Sequence, residues 1–114
     1  MNILILGAGQ VGSTTATQLA KEEDNEVTIV DIDPEKLTKL ASRVDLQTIE
    51  GNAAYPETLR QSGAETADML IAVTSSDEVN MIACQIASTL FNTPKKIDRK
   101  STRLNSSHLL TSYA

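Results

Sequence analysis

Gly7, Gly9, Gly12 and Asp31 carry the chemistry that the spacing of this sequence can support. The loop Gly7-Ala8-Gly9-Gln10-Val11-Gly12 leaves a short apolar run, residues 2–6, and opens a helical stretch. A second apolar run, residues 26–30, ends at Asp31, close to the spacing of about 20 residues that separates a phosphate loop from a ribose-binding acid. Each part has a physical task. Gly7 allows the tight turn out of the strand, Gly9 lets a pyrophosphate approach the backbone, and Gly12 lets the helix pack closely on the strand. The helix, starting near Gln10 or Val11, aims unpaired N–H groups and its positive dipole end at the phosphates. The loop has no lysine and no Gly-Lys-Ser/Thr ending, which argues against a Walker-type site. A carboxylate at position 31 can accept from both hydroxyls of an adenosine ribose and repels a 2′-phosphate. With no arginine beside it, the expected preference is for NAD(H), or for an adenosine nucleotide with a free ribose (ATP or ADP as the alternative cofactor), over NADP(H). A glycine turn that merely packs a helix on a sheet would explain Gly12 and leave Gly7, Gly9 and Asp31 without a shared reason.

The elements around these residues alternate between strand and helix. Residues 34–43 carry Leu37, Leu40 and Ala41 at helical spacing, with Pro34 in the first turn. Residues 46–50 read as a third strand, followed by Gly51-Asn52-Ala53. A short helix opens at Pro56, holds Leu59 and stops at Gly63. Residues 67–73 are apolar throughout, as a central strand requires. Ser75 and Glu78 have capping-box spacing before a long helix with Val79, Ile82, Ala83, Ile86 and Leu90 on one face. Asn92-Thr93-Pro94 ends that helix, and Lys95-Lys96-Ile97 approaches a fifth strand.

This alternation predicts an α/β fold, a Rossmann-like doubly wound parallel sheet of order 3-2-1-4 with a fifth strand cut short. Ligands bind such sheets at the carboxyl ends of the strands, where the order reverses. The loops at Gly7 to Gly12, Asp31 to Asp33, Gly51 to Ala53 and Thr74 to Ser76 then share one edge.

Other polar residues have more ordinary uses. Asp33, before a proline, suits a helix cap better than a ligand contact. Asn52 fits the adenine side or the turn equally well. Thr74 and Ser75 follow the switch-point strand, which favours ligand contact over capping alone. Cys84 reads as a small core residue, and Glu22-Glu23-Asp24 as a solvated helix end. No Ser/His/Asp, Cys/His or metal-ligand constellation is present.

Composition narrows the function classes. The 114 residues suffice for one domain. A net charge of −5 and an aromatic content of 3% disfavour a nucleic-acid partner. One cysteine permits no intrachain disulfide and fits a reducing, cytoplasmic setting. No apolar run approaches membrane-spanning length, so membrane association is expected to run through a partner.

The pattern breaks at Asp98. Residues 98–114 have no period and no turn logic, hold the sole histidine, His108, and are basic on balance where residues 1–97 are acidic. The string DRKSTRLNSSH back-translates to a sequence resembling one reading frame of a common sequencing-library adapter. The expected organisation is a truncated nucleotide-binding domain, 1–97, and a non-native adapter read-through tail, 98–114.

Residues 1–97 resemble the N-terminal nucleotide-binding domain of Trk-type potassium-uptake regulatory proteins, the TrkA-like members of the RCK or KTN group. The resemblance rests on ILGAGQVG, VDID, ADMLIAVTSSDEVNMIACQIA and LFNTPKKI; the stretch from ADML to NTP is far more specific than the glycine loop. It implies a non-enzymatic regulator on the inner face of the plasma membrane, held there by an integral-membrane potassium-translocating subunit. It also implies a homo-oligomer built through RCK domains, and binding of NAD(H) or adenine nucleotides. Carried over, Gly7 to Val11 would hold the pyrophosphate and Asp31 the ribose, with Asn52, Ala53, Thr74 and Ser75 lining the adenosine side. The family's basic residue after Ile97 would fall at Arg99, inside the anomalous tail. The alternative is the cofactor domain of an NAD-dependent dehydrogenase, which fits the loop and Asp31 equally well but lacks a general acid or base and a substrate domain. A transcription regulator lacks any helix-turn-helix or basic face here.

Overall fold

Strands built from Ile, Leu and Val without polar alternation must be covered on both faces, and the chain supplies helices for each. The computed structural model describes residues 1–98 and 111–113. Its order is β1 (Asn2–Leu6), α1 (Gln10–Ala20), β2 (Glu26–Asp31), α2 (Pro34–Ala41), β3 (Gln47–Glu50), α3 (Pro56–Gln61), β4 (Met69–Ala72), α4 (Asp77–Ile86), β5 (Lys95–Asp98) and β6 (Thr111–Tyr113). The sheet runs β3-β2-β1-β4-β5-β6, and β1 to β5 are mutually parallel. The expected order is therefore realised, with the reversal between β1 and β4.

Alternate residues of each central strand serve opposite faces. Ile3, Ile5, Ile29 and Ile71 pack with Ala16 of α1 and with Leu37 and Leu40 of α2. Leu4, Leu6, Val30 and Leu70 pack with Leu59 of α3 and Ala83 of α4. Leu4, Ile5, Leu6 and Ile29 are at most 1% exposed. Burial of such side chains contributes roughly 1.5–3 kcal/mol each, so the strands hold the fold and the loops can be shaped for another purpose. Leu6 lies opposite both Val30 and Ala72, which brings the chain out of β1, β2 and β4 at one level.

The face of α4 differs from expectation. Ala83 is buried, and Val79 and Ile86 are partly buried, but Ile82 and Leu90 are exposed. The inner stripe is Asn80, Ala83, Ala87 and Phe91, the last two in a π turn, Ala87–Phe91, that continues the helix. Of this stripe only Ala83 lay on the expected face; Asn80, Ala87 and Phe91 did not. The helix ends at Asn92, which takes the left-handed conformation (φ 52°).

The cap of α4 is also displaced by one residue. Ser76, not Ser75, accepts from the Val79 N–H, at 3.2 Å. Thr74 is bonded to Asn80, which fixes where the loop can turn into helix and leaves Ser75 outside the cap. The fifth strand runs through Asp98, and residues 111–113, where no strand was expected, pair antiparallel with it. Backbone pairing on an open strand edge needs no side-chain pattern. Arg99 and His108 lie outside the described residues.

Candidate functional site

The three loop glycines have different reasons to be glycine. Gly7 has φ 109°, and a Cβ there would lie 2.8 Å from the Val73 carbonyl oxygen; its N–H donates to Val30 O at 2.7 Å. A Cβ on Gly12 would lie 1.8 Å from the Gly7 carbonyl oxygen, so α1 can sit this close to β1 only with glycine. Gly9 has an ordinary φ of −73°, and a Cβ there would meet nothing within 4 Å. Neither conformation nor internal packing requires Gly9 to lack a side chain. What its hydrogen keeps clear is the space in front of the α1 N-terminus.

That N-terminus has no side-chain cap and no acidic residue in its first turn. In contrast, Asp33 caps α2 by accepting from Glu35 N–H at 2.9 Å, its more ordinary expected use, and Ser76 caps α4. The leading N–H groups of α1 thus keep their capacity to donate and face an open region of partial positive charge.

A cleft of about 400 Å³ opens there, at the carboxyl ends of β1, β2 and β4. Of the expected site residues, Gly7, Gly9, Gln10, Val11, Asp31, Asn52, Ala53, Thr74 and Ser75 line it. Ala8 and Gly12 lie behind its wall: Ala8 is 5% exposed with its methyl in the core, and Gly12 is buried under the turn. A hollow of similar size, about 410 Å³, lies at the opposite edge of the sheet. It is framed by strand starts and by the residues just after α3, where helix carbonyls disfavour an anion.

Asp31 joins the two halves of the cleft. Its Oδ2 accepts from Ala8 N–H at 2.7 Å, and its Oδ1 accepts from Asp33 N–H at 2.8 Å. A carboxylate has about four acceptor positions, so each oxygen retains one for a hydroxyl. Asn52 Oδ1 accepts from Ala54 N–H at 2.8 Å, which gives it a turn role while it borders the cleft. Thr74 is engaged internally: its N–H and hydroxyl donate to Asn80 Oδ1 at 2.9 and 2.7 Å, and its carbonyl accepts from Asn80 Nδ2 at 3.3 Å. Among the described residues the exposed Ser75 hydroxyl has no partner.

Sequence reasoning missed Ile32, Lys36 and Asn80. Ile32 is 71% exposed on the cleft and, with the exposed Val11, offers apolar surface that a flat ring could cover. Lys36 borders the cleft and makes no ion pair among the described residues. Its place in the first turn of a helix opening at this edge was a usable signal. Asn80 is fully buried and gave no signal except its polarity inside a helix. Among the described residues no three His, Cys, Asp or Glu side chains converge as metal ligands, and no helix is long and apolar enough to cross a membrane. The cleft combines unpaired backbone donors for an anion with a carboxylate acceptor for hydroxyls and apolar surface for a ring.

Residues 3–112 match the TrkA-N domain model. The chain belongs to the TrkA-N domain family. It is 61% identical over 99 residues to the Trk system potassium uptake protein TrkA of Halomonas elongata, a match covering 87% of this chain and 21% of that protein. This TrkA-N domain thus spans about a fifth of the length of that relative. Among solved structures, Kef CTD of Shewanella denitrificans in AMP-bound form superposes with a TM-score of 0.73 at 20% identity, covering 96% of this chain and 68% of that one. The GsuK channel bound to NAD gives 0.71 at 18% identity, covering 93% and 20%. At these identities the likeness shows the fold, a Rossmann-like sheet shared with dehydrogenases as well.

Proposed function

We propose that this TrkA-N domain is the nucleotide-binding regulatory module of a potassium uptake system, and that it binds NAD(H) or, alternatively, ATP or ADP. The observation that carries the reading is Gly9: its missing side chain serves no purpose inside the chain and clears the approach to an uncapped helix start. A nucleotide would supply the diphosphate that those N–H groups are placed to meet. The N–H groups of Gln10 and Val11 bind it, Asp31 orients the ribose through its two remaining acceptor positions, and Asn52, Ala53 and Ser75 border the adenosine. AMP in the Kef structure and NAD in the GsuK structure support this class of ligand.

The regulatory part of the reading rests on the Trk system name of the Halomonas relative. In it, the domain is non-enzymatic and cytoplasmic, and assembles as a homo-oligomer. It sits at the inner face of the plasma membrane through an integral-membrane potassium-translocating subunit. Ligand binding shifts the population between arrangements that differ in affinity for the nucleotide, and so gates that subunit. Residues 98–114 are read as a non-native tail, which amplification of the locus from source DNA tests: a matching genomic tail refutes it. Calorimetric titration of the intact protein with NADH, ATP and ADP tests the ligand. Saturable binding is expected, and the absence of binding by all three overturns the reading. Deletion of the intact gene is expected to change potassium uptake; an unchanged uptake rate counts against the regulatory role.

A further inference from the structure

A fully buried asparagine on the inner face of a helix, one turn before the buried Ala83, needs a reason. Apolar residues would pack there without the cost of desolvating an amide. Asn80 spends its amide on one residue. Thr74 N–H donates to Asn80 Oδ1 at 2.9 Å, Thr74 Oγ1–H donates to the same oxygen at 2.7 Å, and Asn80 Nδ2 donates to Thr74 O at 3.3 Å. The amide's orientation follows from the chemistry, because the Thr74 N–H can only donate and must face the oxygen. The Thr74 hydroxyl has one proton for two acceptors, Asn80 Oδ1 at the shorter 2.7 Å and Ser76 O at 3.1 Å, and it accepts from Ser76 N–H at 3.2 Å. Ser76 in turn caps α4. Every polar group of Thr74 is thereby consumed, and the flanking residues are held on either side of Ser75. Ser75 is the exposed residue of this loop that borders the cleft with a hydroxyl unbonded among the described residues.

We propose that Asn80 is a positioning residue of the cleft: acting through Thr74, it locks the loop between β4 and α4 so that the Ser75 hydroxyl is presented to the ligand. The proposal rests on the nucleotide reading above. The bonds run from inside α4 to the cleft edge, so the loop is organised before a ligand arrives and little ordering is left for binding to supply. The same bonds make the start of α4 part of the cleft's wall.

The test is a mutant cycle on the full chain, titrated with NADH and with ATP by calorimetry, with melting temperature recorded without ligand. Asn80→Ala and Thr74→Val are each expected to weaken binding by about tenfold or more. Ser75→Ala is expected to weaken it as well, and neither of the first two substitutions should weaken it further in the Ser75→Ala background. A general loss of fold would instead add to the effect of Ser75→Ala. Should Asn80→Ala fail to fold, Thr74→Val carries the same cycle, since it removes only a hydroxyl and nearly keeps the side-chain volume. Unchanged affinity in the single variants, or losses that multiply with Ser75→Ala, overturn the proposal and leave the nucleotide reading standing. Failure of the unsubstituted chain to bind either ligand removes the nucleotide reading, and the proposal with it.

Discussion

The Ala8 N–H donates to Asp31 Oδ2 across 2.7 Å, tying the glycine loop after β1 to the end of β2. Asp31 Oδ1 meanwhile takes the Asp33 N–H at 2.8 Å. One carboxylate therefore closes two loops of the cleft and still has acceptor positions facing outward. Its negative charge strengthens both bonds, since charge-assisted hydrogen bonds exceed neutral ones.

Asp31→Asn is expected to damage stability and binding together. The amide can present an oxygen to only one of the two N–H groups and must turn a donor toward the other. Leaving that part-buried donor unsatisfied costs about 1–3 kcal/mol, readable as a lower urea midpoint at unchanged slope. NADH affinity should fall by about tenfold or more, because the ribose acceptor and the loop tie go together. A variant with wild-type stability would show that the bond to Ala8 contributes nothing.

Substituting the glycines separates packing from ligand space. Gly12→Ala places a Cβ 1.8 Å from the Gly7 carbonyl oxygen, so backbone must move, at a cost of roughly 1–3 kcal/mol or more. Gly9→Ala meets nothing within 4 Å. It should cost no more than about 1 kcal/mol, the usual penalty for alanine at a helix N-cap, while nucleotide affinity drops by about tenfold or more. Thermal unfolding and calorimetry on both variants check the contrast; equal effects on both quantities in both variants would refute it.

The sheet was legible because a buried parallel strand leaves an unbroken apolar run, and the runs ending at Leu6, Val30 and Val73 gave the order and the edge at which the loops meet. The glycine loop was legible because Gly7 and Gly12 obey steric limits that hold in any sequence. What stayed hidden depends on where one side chain points. Asn80 could not be placed inside α4, because hydrophobicity favours Ile82 for the core, whereas the real inner stripe sets Asn80 with Ala83, Ala87 and Phe91. The one-residue shift of the cap from Ser75 to Ser76 follows from Asn80 as well, since two serines in a row satisfy the capping pattern equally until Thr74 is anchored. Lys36 was passed over because a charged residue in a helix is usually solvated, although its place in the first turn of a helix opening at the loop edge pointed to the cleft that it borders.

Lys36 bears on cofactor choice. Asp31 repels a 2′-phosphate, and NADH is expected to bind more tightly than NADPH. A lysine bordering the same cleft, with no ion pair among the described residues, offsets part of that repulsion. Lys36→Ala should therefore weaken NADPH more than NADH and widen the gap between them. Competition titrations with both cofactors measure it; equal losses for the two would mean that the ammonium does not face the adenosine end.

Lys96 gives the fold a pH dependence whose sign can be worked out. It is 1% exposed and donates from Nζ to Thr93 O at 2.8 Å. Burial pushes its pKa below the ordinary lysine value of 10.5, with Cys84 opposing that shift. An unfolded lysine keeps its proton up to the ordinary value, whereas the folded one releases it sooner. Between those two values the unfolded chain binds more protons, so stability attributable to this group rises as pH climbs through that window. Below both values the ammonium is charged in both states and its desolvation weighs against folding; well above 10.5 it is neutral in both, and the penalty is gone. Lys96→Met removes the titration and retains apolar volume. The stability of Lys96→Met relative to wild type should be highest at neutral pH and should decline toward the alkaline end, as denaturant midpoints measured across that range would show. A difference that stays constant with pH would mean that Lys96 titrates alike in the folded and unfolded chain, and that its burial costs the charge nothing.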